Sequence, residues 1–203
     1  MEAKMKKQAI KKQWWETKRT VLLKQYARDY GGEYVAASLK KWRYTAEHVK
    51  LPDPYGLGTY DVSVRSNSNS NSTSTSELIE VKFTYRPRRK LEFSMTPAKR
   101  LNYAFHRNMD KVTMPNTVMS KLFQAVSTHP SLLRSVLKHE GLAEELMMFL
   151  SVKLQLRIKE HTAVLTWTEP CNDPDLRALE DRISVMKQFV RALYDQNIIH
   201  ETK

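Results

Sequence analysis

Apolar residues recur with helical spacing near both ends of the chain and with a period of two through much of its middle. Residues 4–30 contain no Gly or Pro. Trp15, Leu22 and Tyr26 fall on one helical face, with Ile10, Trp14 and Val21 on an adjacent one. This spacing predicts a single helix over 4–30. It should stop at Gly31-Gly32, because glycine takes the left-handed conformation at a helix C terminus without steric cost. Toward the other end, Leu176, Leu179, Ile183, Met186, Val190 and Leu193 form an amphipathic stripe. Asp173 then predicts the N-cap of that last helix and Pro174 its first position.

Between these helices the alternation predicts strands. A short one covers 33–37. Trp42, Tyr44, Ala46 and His48 alternate with Arg43, Thr45 and Glu47, as in a half-buried strand. Pro52, Pro54, Gly56 and Gly58 mark a loop. Tyr60, Val62 and Val64 then alternate with Asp61, Ser63 and Arg65, and Ile79, Val81, Phe83 and Tyr85 share one face of the next strand. Residues 66–76 between them are only Ser, Asn and Thr, a composition that cannot repay the entropy of ordering, so they predict a disordered-type hairpin loop. After the basic turn Arg86-Pro87-Arg88-Arg89-Lys90, Leu91, Phe93 and Met95 continue the alternation, which predicts an antiparallel meander.

Residues 97–111 fit helix or strand equally. Helices are expected over 116–126, over 130–138 with Pro130 in the first turn, and over 142–150. A second hairpin is expected over 152–168, where Val152, Leu154, Leu156 and Ile158 alternate with polar residues. The expected fold is α+β: a mainly antiparallel sheet with helices on one face, a basic N-terminal helix over 1–30 and an amphipathic C-terminal helix. Residues 31–203 form one domain.

Charge sharpens this picture. Of the 34 Lys+Arg and 22 Asp+Glu, 23 and 11 lie in residues 1–111, so the net charge of +12 belongs to that half. Such polarity implies an anionic partner: nucleic acid, a membrane surface or an acidic protein. The candidate contacts are Lys4, Lys6, Lys7, Lys11, Lys12, Lys18 and Arg19 on the first helix and Arg86, Arg88, Arg89 and Lys90 in the basic turn. With Trp14 and Trp15 the leading helix also has the character of a membrane-surface or calmodulin-target helix. A single cysteine, Cys171, excludes an intramolecular disulfide, and the six histidines show no zinc-ligand spacing. No apolar run is long enough to cross a bilayer, and the N terminus has no apolar core of a secretory signal. A cytoplasmic location is expected, with peripheral attachment to a membrane left open.

Asp61 and Glu80-Val81-Lys82 are the residues with candidate chemistry. An acidic residue on one strand and Glu-x-Lys on the next resemble the active-site signature of the PD-(D/E)xK nucleases, and a helix precedes the strands as in that family. The resemblance covers about residues 15–85. It implies that Asp61 and Glu80 hold Mg²⁺ while Lys82 helps to activate water and stabilise charge at a phosphodiester. The same residues also fit a charge ladder. If Val62 and Val64 share a face with Ile79 and Val81, then Asp61, Glu80 and Lys82 share the opposite face, with Glu92 and Ser94 added by the following strand. In one register Asp61 opposes Lys82, in another Glu80.

The overall layout is similar to a group of bacterial α+β proteins classed only as a domain of unknown function. The similarity rests on Gly31-Gly32-Glu33-Tyr34-Val35 after a helix, an Asp61-led strand, the Ser/Thr-rich hairpin, helices around Leu122 and Leu132-Leu133-Arg134, a strand hairpin and a final amphipathic helix. It implies a fold and no activity. The reading adopted from the sequence is a non-enzymatic cytoplasmic module that binds an anionic partner through its basic N-terminal half, with no cofactor and no metal site. The alternative is a Mg²⁺-dependent nuclease using Asp61, Glu80 and Lys82.

Overall fold

Thr17 begins the first helix. Its backbone is extended, at φ −71° and ψ 159°, and its side-chain oxygen accepts the Thr20 amide at 3.1 Å. That contact supplies one of the amides left free at a helix start. Helix α1 therefore spans Lys18–Tyr30 and does not run from residue 4. It ends as expected at Gly31, left-handed at φ 68°, whose amide returns to the Ala27 carbonyl. The structure, a computed structural model, describes residues 16–40, 42–66, 76–98 and 108–200. Lys4, Lys6, Lys7, Lys11, Lys12, Trp14 and Trp15, nearly all of the 66–76 loop, and most of the ambiguous 97–111 stretch lie outside the described residues.

Strands β1 (Glu33–Val35), β2 (Ser38–Lys40), β3 (Arg43–Thr45), β4 (His48–Pro52), β5 (Thr59–Ser66), β6 (Glu77–Tyr85), β7 (Phe93–Pro97) and β8 (Asp110–Lys111) follow. Then come α2 (Thr117–Leu122), β9 (Phe123–Ser127), α3 (Pro130–Leu137), α4 (Leu142–Met147), the hairpin β10 (Lys153–Lys159) and β11 (Thr162–Cys171), and α5 (Leu176–Asp195). Nine strands form one sheet in the order β1-β4-β5-β6-β11-β10-β7-β9-β8, and β2-β3 form a separate hairpin. All the strand pairs are antiparallel. The fold is α+β, as the pattern predicts.

One face of the sheet is the core. Tyr60, Phe83, Leu165, Leu156 and Phe93 are successive cross-strand partners over five strands. Val62, Val81, Trp167, Leu154 and Met95 form the adjacent row, and all ten are buried. Helix α5 covers this face, with Phe189 stacked on Phe93 at 5.7 Å between ring centroids. Of its predicted stripe, Leu179, Ile183, Met186, Val190 and Leu193 are buried, and Leu176 in the first turn is half-buried. Burying such a side chain fully contributes about 1.5–3 kcal/mol. Gly58 lets the β4–β5 turn pass close to the sheet, since a Cβ there would lie 2.2 Å from the Thr84 carbonyl oxygen.

Four expectations are corrected. The β6–β7 connection is not a hairpin, because the β10–β11 hairpin inserts between these strands, pairing with all of β6 and with Phe93–Met95 of β7. Its Arg86–Lys90 segment is instead tied to the chain end, where Arg88 N donates to the Ile198 carbonyl and His200 N to the Arg86 carbonyl. The helix expected over 116–126 begins at its Asn116 cap but ends at Leu122. Phe123–Ser127 becomes β9, whose pairing with β7 outweighs local helical preference. The strand expected over 42–48 breaks at Ala46-Glu47, and Trp42 and Tyr44 face solvent. The cap of α5 is Asp175, which accepts the Ala178 amide at 2.7 Å. Asp173 lies two residues earlier in a left-handed turn at φ 53°.

Candidate functional site

The second face of the sheet is polar from β4 to β10. Lys50, Asp61, Lys82, Thr166 and Gln155 form one cross-strand row. Ser63, Glu80, Thr168 and Lys153 form the next, and Thr84, Val164 and Arg157 a third. Alternation in antiparallel strands places these side chains opposite the core. Lys50, Arg65, Lys153 and Arg157 are exposed. The pattern ends at β7 and β9, where Ser94 and Val126 on this face are also buried. Glu92 and Ser94 therefore do not extend the Glu80–Lys82 ladder as expected. Two strands intervene, and the Glu92 carboxylate accepts the Ile158 amide at 3.0 Å.

At the β4–β6 end this face opens into a cleft of about 610 Å³. Asp61, Ser63 and Arg65 of β5 and Glu80 and Lys82 of β6 line it. Glu47 and His48 flank one side, Tyr44 of β3 stands over it, and Arg19 of α1 reaches its end. The structure thus brings Asp61, Glu80 and Lys82 together, in the register that sets Asp61 opposite Lys82.

Glu80 is heavily engaged. Lys82 Nζ and Arg65 Nη2 both lie 2.7 Å from its Oε1. Asp61 is different: its Oδ1 is buried without a hydrogen-bond partner, and His48 Nε2 stands 3.9 Å away. His48 Nδ1 lies 2.9 Å from the Ala46 carbonyl. A carbonyl only accepts, so Nδ1 carries the proton and Nε2 faces the carboxylate. Glu47 accepts from Thr20 Oγ1 at 2.9 Å and from the Tyr34 hydroxyl at 2.8 Å. Burial first, and then this carboxylate, push the Tyr34 hydroxyl up to about 12. Arg65 and Lys82 both pair with Glu80, and Arg19 pairs with Glu77 outside the lining, so the three cations that line the cleft are each already engaged.

These donors do not suit the Mg²⁺ site that the nuclease resemblance implies. Glu80 Oε1 is held between two cations, and among the described residues no three His, Cys, Asp or Glu side chains stand close enough to share a metal.

Among the described residues, the basic positions singled out in sequence do not converge. Lys18 and Arg19 lie near Glu77, where β6 begins. Arg19 Nε is 3.1 Å from the Glu77 carboxylate, and Lys18 is 4.0 Å from Asp173. Arg86, Arg88, Arg89 and Lys90 follow the other end of that nine-residue strand, roughly 30 Å away at about 3.4 Å per residue. What sequence reasoning missed is the basic sheet face, to which Lys153 and Arg157 come from the electrically neutral half of the chain. It also missed the β2-β3 hairpin. The run Lys40-Lys41-Trp42-Arg43 was the available signal for the hairpin; no comparable signal placed β11 beside β6 or β10 beside β7.

A second cavity, of about 670 Å³, lies between the β4–β5 turn and α5. The Asp53 carboxylate there is turned inward onto the Tyr55 and Leu57 amides, and Lys187, Arg191 and Asp195 are the charged groups on its α5 side. The Cys171 thiol is pushed up by burial, which keeps it protonated and a poor nucleophile. No protein-family model matches the chain, and no curated protein or solved structure is detectably similar to it. The functional reading therefore rests on the geometry of this face.

Proposed function

We propose that this protein is a non-enzymatic cytoplasmic module that holds an anionic partner on the solvent face of its sheet. One observation carries the reading: exposed Lys50, Arg65, Lys153 and Arg157 project from a polar sheet face, while the helices that close the core pack behind it. Exposed cations on a rigid sheet attract phosphates or carboxylates without needing a deep pocket. Among the described residues no helix is long and apolar enough to cross a membrane.

The test is binding of a labelled single-stranded oligonucleotide, heparin and anionic vesicles at low and moderate salt. Each single-strand phosphate that a variant no longer neutralises should reduce the salt slope by about 0.7. Combined Lys50→Glu, Lys153→Glu and Arg157→Glu should weaken binding far more than Arg86→Glu with Arg89→Glu. Failure to bind all three probes at low salt would remove the proposal. A stronger effect of the turn variants would move the interface to the turn.

A second reading, metal-dependent phosphodiester hydrolysis, is favoured by the convergence of Asp61, Glu80 and Lys82 on one cleft. It requires Glu80 to be released from Lys82 and Arg65.

A further inference from the structure

We infer that the cleft accepts an unpaired base of single-stranded nucleic acid, stacked on Tyr44, with Trp42 offering a second stacking surface. This inference rests on the proposed anionic-partner reading and narrows the partner to one class.

The hairpin supplies the first argument. It stands apart from the nine-stranded sheet and exposes three large apolar side chains: Leu39 at 67%, Tyr44 at 71% and Trp42 at 96%. Trp42 sits at the turn with φ 63°, a conformation an aromatic residue seldom adopts. Leu39 and Tyr44 are direct cross-strand partners, so they share a face, and Tyr44 lines the cleft. An aromatic ring beside cationic groups is the combination that binds single strands, the ring taking a base and the cations the backbone.

Charge decides what enters the cleft. Lys82 and Arg65 are both held by Glu80, so a bare phosphate would meet Asp61 and Glu80 as well as cations that are already paired. Acidic lipid headgroups would meet the same carboxylates. A base is uncharged and can lie there, while its phosphates run outward over Lys50 and Lys153.

Hydrogen bonding adds no preference among the bases. An acceptor beside a donor, as Asp61 and its cross-strand neighbour Lys82 offer, matches the amine and ring nitrogen of cytosine or adenine and equally the ring N–H and carbonyl of thymine or guanine. The cleft volume suits a small planar ligand.

The experiment is fluorescence anisotropy of the full chain with labelled oligo-dC, oligo-dA, oligo-dT, a duplex, and phosphatidylserine vesicles. All three oligonucleotides should bind about tenfold more tightly than the duplex, whose bases are already stacked and paired. Trp42→Ala and Tyr44→Ala should each weaken oligo-dC binding about tenfold with the thermal midpoint unchanged. Equal affinity for single strands and duplex, unaffected by Trp42→Ala and Tyr44→Ala, would overturn the inference while salt-sensitive binding kept the broader reading. Trp42-dependent binding to vesicles without oligonucleotide binding would also overturn it. Absence of binding to every probe at low salt would overturn both.

Discussion

Replacing Arg182 by Ala should destabilise the fold by about 3–5 kcal/mol at neutral pH, because it strands a buried carboxylate. Glu169 lies on the core side of β11, opposite Ile79 of β6, and is 6% exposed. Its Oε2 is 2.9 Å from Arg182 Nε of α5. The guanidinium also donates to the Ala178 carbonyl and lies 5.0 Å from the Phe149 ring centroid. Burial raises the Glu169 pKa above 4.5, and Arg182 opposes that rise. The sign for pH follows from which state takes up the proton first. A carboxyl with a raised pKa protonates in the folded state before it does so in the unfolded chain. Its stabilising contribution is complete below pH 4.5 and is lost as pH rises through the folded pKa. Removing Arg182 raises that pKa further. The gap between variant and wild type should therefore open with rising pH and narrow toward pH 4.5. Urea unfolding at several pH values measures it. At neutral pH the expected loss corresponds to roughly 6–20 °C in thermal midpoint for a chain of this size. Adding Glu169→Gln to the Arg182→Ala variant should recover part of the loss, since a neutral amide no longer needs the cation. A loss below about 1 kcal/mol, or one independent of pH, would refute the reasoning.

Truncating Ile183 to Ala should cost about 2–5 kcal/mol in urea unfolding, because the side chain fills the core beneath α5. Replacing residues 67–75 with a two-residue turn should leave the thermal midpoint nearly unchanged, since the β5–β6 ladder already closes at Ser66 and Glu77. No Mg²⁺- or Mn²⁺-stimulated cleavage of DNA or RNA is expected. Cleavage by the wild type that disappears in both Asp61→Ala and Lys82→Ala, with folding intact, would promote the hydrolytic reading.

The local pattern determined a good deal. Alternation identified β5, β6, β10 and β11 and which side of each faces the core, because one-sided burial selects every second residue. The α5 stripe from Leu179 onward is buried as its spacing requires. Placing Val62 and Val64 with Ile79 and Val81 put Asp61, Glu80 and Lys82 on the other face. The structure selected one of the two registers that pattern allowed. Charge along the chain was a weaker guide. Lys18 and Arg86 belong to the same basic half, yet the length of β6 separates their surroundings.

Tertiary structure decided the rest. Ladder hydrogen bonds join backbone groups that every non-proline residue carries, so β6 and β7 could satisfy themselves against one another or against β11 and β10. Only packing of the assembled sheet against α5 distinguishes these choices, and it inserted the later hairpin. The same insertion carried Lys153 and Arg157 onto the face of Lys50 and Arg65. Phe123–Ser127 became a strand for a related reason, since β7 offered a partner no local preference could announce. The cleft draws on α1, β3, the turn before β4, β5 and β6. Spacing along the chain could reveal the polar face of each strand, but only strand pairing and the placement of Tyr44 and Thr45 of β3 beside it could assemble the cleft.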